Sequence, residues 1–140
     1  MEVAHLVSKR ATCHRRSVGA VLVKEKKILA TGYNGAPSGL KHCTDMTCLR
    51  EKLNIPSGQR HELCRALHAE MNAILQAAHY GVSVNGAIVY CTNQPCIICA
   101  KMIVNSGIEK VVILSGYPDD LAKKIFEEAR IQVLEVKRTV

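Results

Sequence analysis

The run LHAEMNAILQAAHYGVSVNGAIVYCTNQPCIICAKMIVNSGI, residues 67–108, decides how this chain folds. Its opening part, residues 67–78, reads as a helix, because Ala69, Ala73, Leu75 and Ala77 supply propensity and Gly81 stands near the end as a stop. Residues 87–92 are then a short apolar strand. Pro95 sits where a helix can begin, since proline is tolerated in a first turn, and residues 96–105 continue as a second helix that Gly107 closes. Helix, strand, helix in this order is the middle of an α/β layer.

Working outward, residues 17–23 and 27–31 are rich in Val, Ile and Leu and are separated by polar Lys24, Glu25 and Lys26, which predicts a β-hairpin. Before it, apolar residues at 3, 4, 6, 7 and 11 mark one face of a helix over residues 3–12. After the central run come a buried-type strand at 110–114, an amphipathic helix at 119–130 and a last strand at 131–136. Residues 32–65 have no sustained periodicity, and Gly35, Pro37, Gly39, Pro56 and Gly58 interrupt every regular element. A run of that length is unusual inside a compact domain, so something other than apolar packing must hold it. The expectation is a single α/β domain over residues 1–140, with helices packed on a central sheet.

Composition narrows the function. A chain of 140 residues that is 48% apolar can bury one core of ordinary size. The longest uncharged stretches contain Asn, Gln, Thr and Pro and fall short of the roughly 18 apolar residues a membrane span needs. Residues 1–10 lack the basic start and apolar block of a secretory signal, so a cytoplasmic protein with no membrane partner is expected. In that compartment seven cysteines point to metal or catalysis rather than disulfides. The net charge of +7 suits a polymer or a small anion, but one Phe, no Trp and four Tyr supply a poor stacking platform. A small anionic substrate is favoured over nucleic acid.

Two short motifs, His68-Ala69-Glu70 and Pro95-Cys96-Ile97-Ile98-Cys99, both fall at predicted helix starts. Cysteines three apart in a first helical turn share one face, and the positive end of the helix favours thiolate. His68, Cys96 and Cys99 would give zinc one nitrogen and two sulfurs, leaving a fourth tetrahedral position for water, as in catalytic rather than structural sites. Glu70 is too close along the chain to ligate the same ion and suits proton transfer. A lone Cys-x-x-Cys is more often a redox pair or half a zinc knuckle, and a lone His a cap residue. Together they form the signature of zinc deaminases.

With RATCHRRSVGAVLV at 10–23, ILATGYNGAPSGLKHC at 28–43, LHAEMNAILQAA at 67–78 and TNQPCIICAKMIVNSGI at 92–108, the chain resembles the deoxycytidylate (dCMP) deaminases of bacteria and phages, within the cytidine deaminase superfamily. The resemblance covers nearly the whole length. The Gly-Tyr-Asn-Gly run discriminates it from tRNA adenosine deaminases. It implies a three-layer α/β fold with a five-stranded mixed sheet, and hydrolysis of dCMP to dUMP and ammonia for thymidylate synthesis. It further implies an oligomer, commonly a hexamer. By the same resemblance Asn34 would contact the deoxyribose, the backbone at Ala36 would lie near the phosphate, and Tyr117 would lie against the substrate. Gly32, Tyr33, Asn34 and Gly35 would take part in binding dCTP as activator or dTTP as inhibitor, with Mg2+ a possible companion of the triphosphate.

Cys13, Cys43, Cys48 and Cys64 flank or lie within the irregular segment and suit a second, structural zinc, with His42 or His61 as alternatives to Cys48 or Cys64. Scattered buried thiols are the plainer explanation. Cys91 reads as core. Arg15, Arg16, Arg60 and Arg65 are the candidates for a phosphate. Two other functions compete: deamination of another nucleobase or nucleoside, and a noncatalytic zinc protein that binds DNA. The pairing of Glu70 with the metal motif argues against the last, because a structural site has no use for an acid/base residue.

Overall fold

In a computed structural model, which describes residues 1–114, 116 and 119–137, Glu25 and Lys26 take positive φ values of 51° and 62° and turn the chain back on itself. Strand β1 (Gly19–Lys24) thereby pairs antiparallel with β2 (Lys27–Tyr33), Gly19 facing Tyr33 and Lys24 facing Lys27. On its other side β1 pairs antiparallel with β3 (Ile88–Cys91), and β4 (Lys110–Ile113) and β5 (Gln132–Glu135) follow in parallel, giving the order β2-β1-β3-β4-β5. The helices are α1 (Glu2–Ser8), α2 (Leu49–Lys52), α3 (Ala69–His79), α4 (Ile97–Asn105) and α5 (Asp120–Glu128). Among the described residues no helix is long and apolar enough to cross a membrane.

Residues paired across a sheet point to the same face, so Ala20, Leu22, Val89, Cys91, Val111 and Ile113 form one surface. That surface packs against Ala73 of α3, Ile103 of α4 and Phe126 of α5 in one buried cluster. Helix α1 lies on the opposite face, completing three layers: α1, a five-stranded mixed sheet, then α3, α4 and α5. The resemblance implied this architecture.

Two glycines set the spacing between layers. A Cβ on Gly19 would fall 2.0 Å from the Ala4 carbonyl oxygen, and one on Gly32 would fall 2.2 Å from that of Ala69 and 2.4 Å from the Ala73 nitrogen. These are backbone atoms and cannot step aside. Gly32→Ala should therefore destabilise the protein by about 3 kcal/mol or more in a denaturant titration. A loss below about 0.5 kcal/mol, the range of surface substitutions, would mean that α3 is free to lift.

Several boundaries differ from those expected. Helix α1 ends at Ser8, short of residue 12, because Thr12 donates its N–H to the Asn34 carbonyl and leaves the helix axis. Strand β2 runs on to Tyr33, taking in Gly32. Leu67 is not helical: Gly35 and Leu67 exchange both backbone hydrogen bonds (3.2 and 2.9 Å), which holds the chain extended until His68 caps α3. Pro95 precedes the cap of α4 rather than opening the helix, since Cys96 keeps extended backbone angles. The segment over residues 36–65 contains α2 and two 3-10 turns, Cys43–Asp45 and His61–Leu63. Its only buried residues are Cys43 and Arg50, so no apolar core organises it. Instead Arg15 donates to the Ile55 carbonyl (3.0 Å), Arg50 to that of Gln59 (2.6 Å) and Arg65 to that of Lys41 (3.0 Å).

Candidate active site

His68 is the cap residue of α3, Cys96 the cap residue of α4, and Cys99 lies one turn into α4. The Gly35–Leu67 bridge and the β3–α4 connection bring the two helix starts together at one end of the sheet. His68 Nδ1 stands 3.4 Å from the Sγ of Cys96 and 3.4 Å from the Sγ of Cys99. Tetrahedral zinc, with Zn–N and Zn–S bonds of about 2.0 and 2.3 Å, holds nitrogen and sulfur about 3.5 Å apart. Each nitrogen–sulfur pair fits the ion in spacing, and the donor set fits it in chemistry.

Their electrostatics agree. The hydrogen bond from Cys99, followed by that from His68, pulls the Cys96 thiol down to about 3. His68, although burial opposes its charge, is pushed up to about 10 by hydrogen bonds with Cys64 and Cys96. The site thus stabilises a cation on the imidazole beside a thiolate, and zinc would take the place of that proton. Cys99 is held up by its hydrogen bond with Cys96 and by burial, as expected of the thiol that donates to a thiolate.

Glu70, 4% exposed on the first turn of α3, offers a carboxylate oxygen within 4.8 Å of the donor atoms of His68 and Cys99. Burial pushes its pKa up, and the His68 charge and a hydrogen bond with the Cys91 thiol act against that rise. On the Cys96 side stands His61, whose ring nitrogen lies within 4.8 Å of the donors of His68 and Cys96. The His61 ring meets the His68 ring edge-on at 5.0 Å and 82°. His61 entered the sequence reading only as an alternative ligand of a second metal, and only the tertiary fold places it here. Cys91, expected as core, is fully buried at the end of β3 and also touches Glu70.

A cavity of about 550 Å³ opens over these groups and is also lined by Asn34, Arg15, Arg16, Arg50 and Arg60. The Asn34 amide is engaged locally, donating to the Arg16 carbonyl (2.9 Å) and accepting from the Val18 N–H (2.8 Å), so it shapes this wall from just beyond the end of β2. Gly35 sits against Leu67, Gly32 is buried beneath α3, Tyr33 is half-buried, and Ala36 lies outside the cavity lining. Tyr117 lies outside the described residues. Of the four arginines singled out from sequence, Arg65 faces solvent and Arg60 is exposed in an ion pair with Glu62. Arg50 was missed, as nothing marks one arginine in an aperiodic segment.

The remaining cysteines act on one another electrostatically at Cys43. Burial, then the thiols of Cys13, Cys64 and Cys48, push the Cys43 thiol up. Cys64 also hydrogen-bonds His68, which lowers its own pKa and joins this group to the first. Among the described residues the only donor triads gathered within 4.8 Å both contain His68.

A further tie fixes the Cys96 turn. Asp119, the cap of α5, accepts from its own helix at Ala122 N–H (3.0 Å) and from α4 at Ile97 N–H (2.9 Å), the residue after Cys96. One carboxylate thus satisfies orphan donors of two helices. Asp119→Ala should lower zinc affinity roughly 10- to 100-fold in a competitive chelator titration, the usual cost of losing a group that orients a ligand. Unchanged affinity would assign Asp119 to α5 alone.

The family described as the cytidine and deoxycytidylate deaminase zinc-binding region matches residues 1–115. ComE operon protein 2 of Bacillus subtilis is 41% identical over 138 residues, spanning 98% of this chain and 69% of the relative. The deoxycytidylate deaminase of Schizosaccharomyces pombe is 39% identical over 95% of this chain, which covers only 41% of that protein. Among solved structures, the dCMP deaminase of cyanophage S-TIM5 in complex with dCMP and dUMP superposes with a TM-score of 0.80. It is 32% identical, over 96% of this chain and 92% of that one.

Proposed function

The chain belongs to the cytidine and deoxycytidylate deaminase family of zinc-binding proteins, and from that premise we propose that it hydrolyses dCMP to dUMP and ammonia. The observation that carries this reading is a single imidazole nitrogen 3.4 Å from two cysteine sulfurs with a buried carboxylate beside them. His68, Cys96 and Cys99 hold the zinc. Bound there, zinc supplies a Lewis acid that brings the pKa of water to about 7.

Glu70 handles the protons. Its carboxylate takes one from water and delivers it to the ring nitrogen next to the reacting carbon, then takes the second from the hydroxyl left on that carbon and passes it to the departing amine, which leaves as ammonia as the C=O forms. Burial raises the Glu70 pKa, which favours the proton-carrying form more than in an exposed carboxylate and so suits a group that must hold a proton between the two transfers. Asn34 and the arginines of the cavity wall orient sugar and phosphate, and by the resemblance Tyr117 takes part in binding the substrate. That position matters because hydrolysis needs water at one carbon only.

Cys13, Cys43, Cys48 and Cys64 hold a second, structural zinc that ties the irregular segment to the catalytic helix. The electrostatic action of the other three thiols on Cys43 supports this role. Metal analysis of protein purified without chelator should give about two zinc ions per chain, and one ion would leave only the catalytic site. The resemblance extends the proposal to a cytoplasmic hexamer that supplies dUMP for thymidylate synthesis. Its effectors are dCTP and dTTP with Mg2+, bound near residues 32–35. Loss of cytosine absorbance, followed with dCMP, CMP, deoxycytidine and guanine in turn, tests the substrate. Turnover of dCMP well above the others is expected, and equal rates on deoxycytidine would remove the phosphate from the proposal.

A further inference from the structure

We propose that Arg50 is the anchor by which this cavity holds the phosphate of its substrate, and hence the residue that selects a mononucleotide over a nucleoside. The proposal rests on the deaminase reading above for its substrate, but its physical basis is independent of it. Arg50 is 7% exposed, deeper than any other charged residue except Glu70 among those described. An arginine cannot shed its proton to escape that burial, so its charge must be balanced in place.

The fold does not balance it with a carboxylate. Neither of the two ion pairs among the described residues includes Arg50 or Arg15. Four acidic residues line the cavity, and each is engaged elsewhere: Glu62 with Arg60, Glu70 with Cys91, Asp119 with the starts of α4 and α5, and Asp120 at 4.0 Å from Lys123. What the fold does supply is orientation. Arg50 Nη2 donates to the Gln59 carbonyl at 2.6 Å, and Arg15 Nη2 to the Ile55 carbonyl at 3.0 Å, so one short segment steers both guanidinium groups.

Four buried side-chain polar atoms among the described residues make no hydrogen bond: Arg50 Nε, Arg15 Nη1, His61 Nδ1 and Thr12 Oγ1. The first three belong to residues that line this one cavity. Unsatisfied buried donors are rare and costly, and here they belong to two guanidinium groups that line one cavity, whose forked donors match the oxygens of a phosphate monoester. Arg15 alone is only half-buried. Arg50 adds the depth and dry surroundings that make a charged hydrogen bond selective.

The rival role for Arg50 is to offset the negative charge of thiolates, since its charge also acts on Cys64. Comparing substrates separates the two. Arg50→Gln should lower kcat/KM for dCMP about 100-fold, while that for deoxycytidine stays within about threefold and zinc content is unchanged. Arg50→Lys guards against a Gln variant that does not fold, and should also lose dCMP selectively, by about tenfold, because an ammonium replaces a two-armed fork. An equal loss on both substrates, or a loss of zinc, would overturn the proposal in favour of thiolate balance. Inorganic phosphate titrated calorimetrically keeps the test apart from the deaminase reading. Wild type should bind it at least tenfold more tightly than either variant even if no pyrimidine is turned over, and equal binding would sink the anchor.

Discussion

Glu70→Gln should abolish turnover, by roughly 10⁴-fold, and leave the zinc content of the protein unchanged. The amide has the shape of the carboxylate but cannot accept a proton from water or pass one to the ring and the amine, so every proton transfer of the cycle is lost at once. His68, Cys96 and Cys99 keep their spacing, since none of the contacts among them passes through Glu70. Stability should move the other way. Burial raises the Glu70 pKa, so ionising it costs folding free energy, a cost absent below the ordinary carboxylate pKa and complete once pH exceeds the raised value. The metal-free Gln variant escapes this cost and should melt higher than metal-free wild type near about pH 8, with the gap closing toward about pH 4. Turnover within about tenfold of wild type would show that another group carries the protons.

Cys99→Ser should lose both metal and activity. Cys99 is fully buried, and its sulfur, like that of Cys96, lies 3.4 Å from His68 Nδ1. A serine hydroxyl stays neutral where zinc needs an anionic, soft ligand, so affinity should fall by more than the roughly 10- to 100-fold that loss of an orienting partner costs. Zinc content after dialysis and turnover of dCMP report the two effects together. Cys91→Ser is the matched control. That thiol is equally buried and touches Glu70, yet takes no part in either donor triad around His68, so the variant should retain its zinc. If Cys99→Ser keeps zinc at wild-type affinity, the metal lies elsewhere and the site must be redrawn.

Both expectations start from residues that local rules make visible. A strand such as β3 shows in Ile-Val-Tyr between turn residues, and the hairpin shows in two β-branched runs around Lys24-Glu25-Lys26, because both signals need only near neighbours. His-x-Glu and Pro-Cys-x-x-Cys are legible for the same reason, since helix geometry alone sets which of those side chains share a face. Boundaries were less legible. Thr12 leaves its helix for a bond to Asn34, and Leu67 is drawn straight by Gly35, partners 22 and 32 residues away along the chain that no window of local propensity contains.

The wall of the cavity lies further still beyond local rules. Arg50 and His61 come from a segment with no period, and Asp119 from the far side of a crossover, so nothing in their neighbours marks them. What the sequence determined by itself is the order of strands and helices and the kind of donor each helix start presents. Only the tertiary structure decided that an arginine and a second histidine line the same cavity as the His68 imidazole, and that one aspartate caps two helices. These are meetings between distant segments, fixed by backbone bridges and by carbonyls that aim guanidinium groups, and a buried charge acquires its meaning from whatever the fold places beside it.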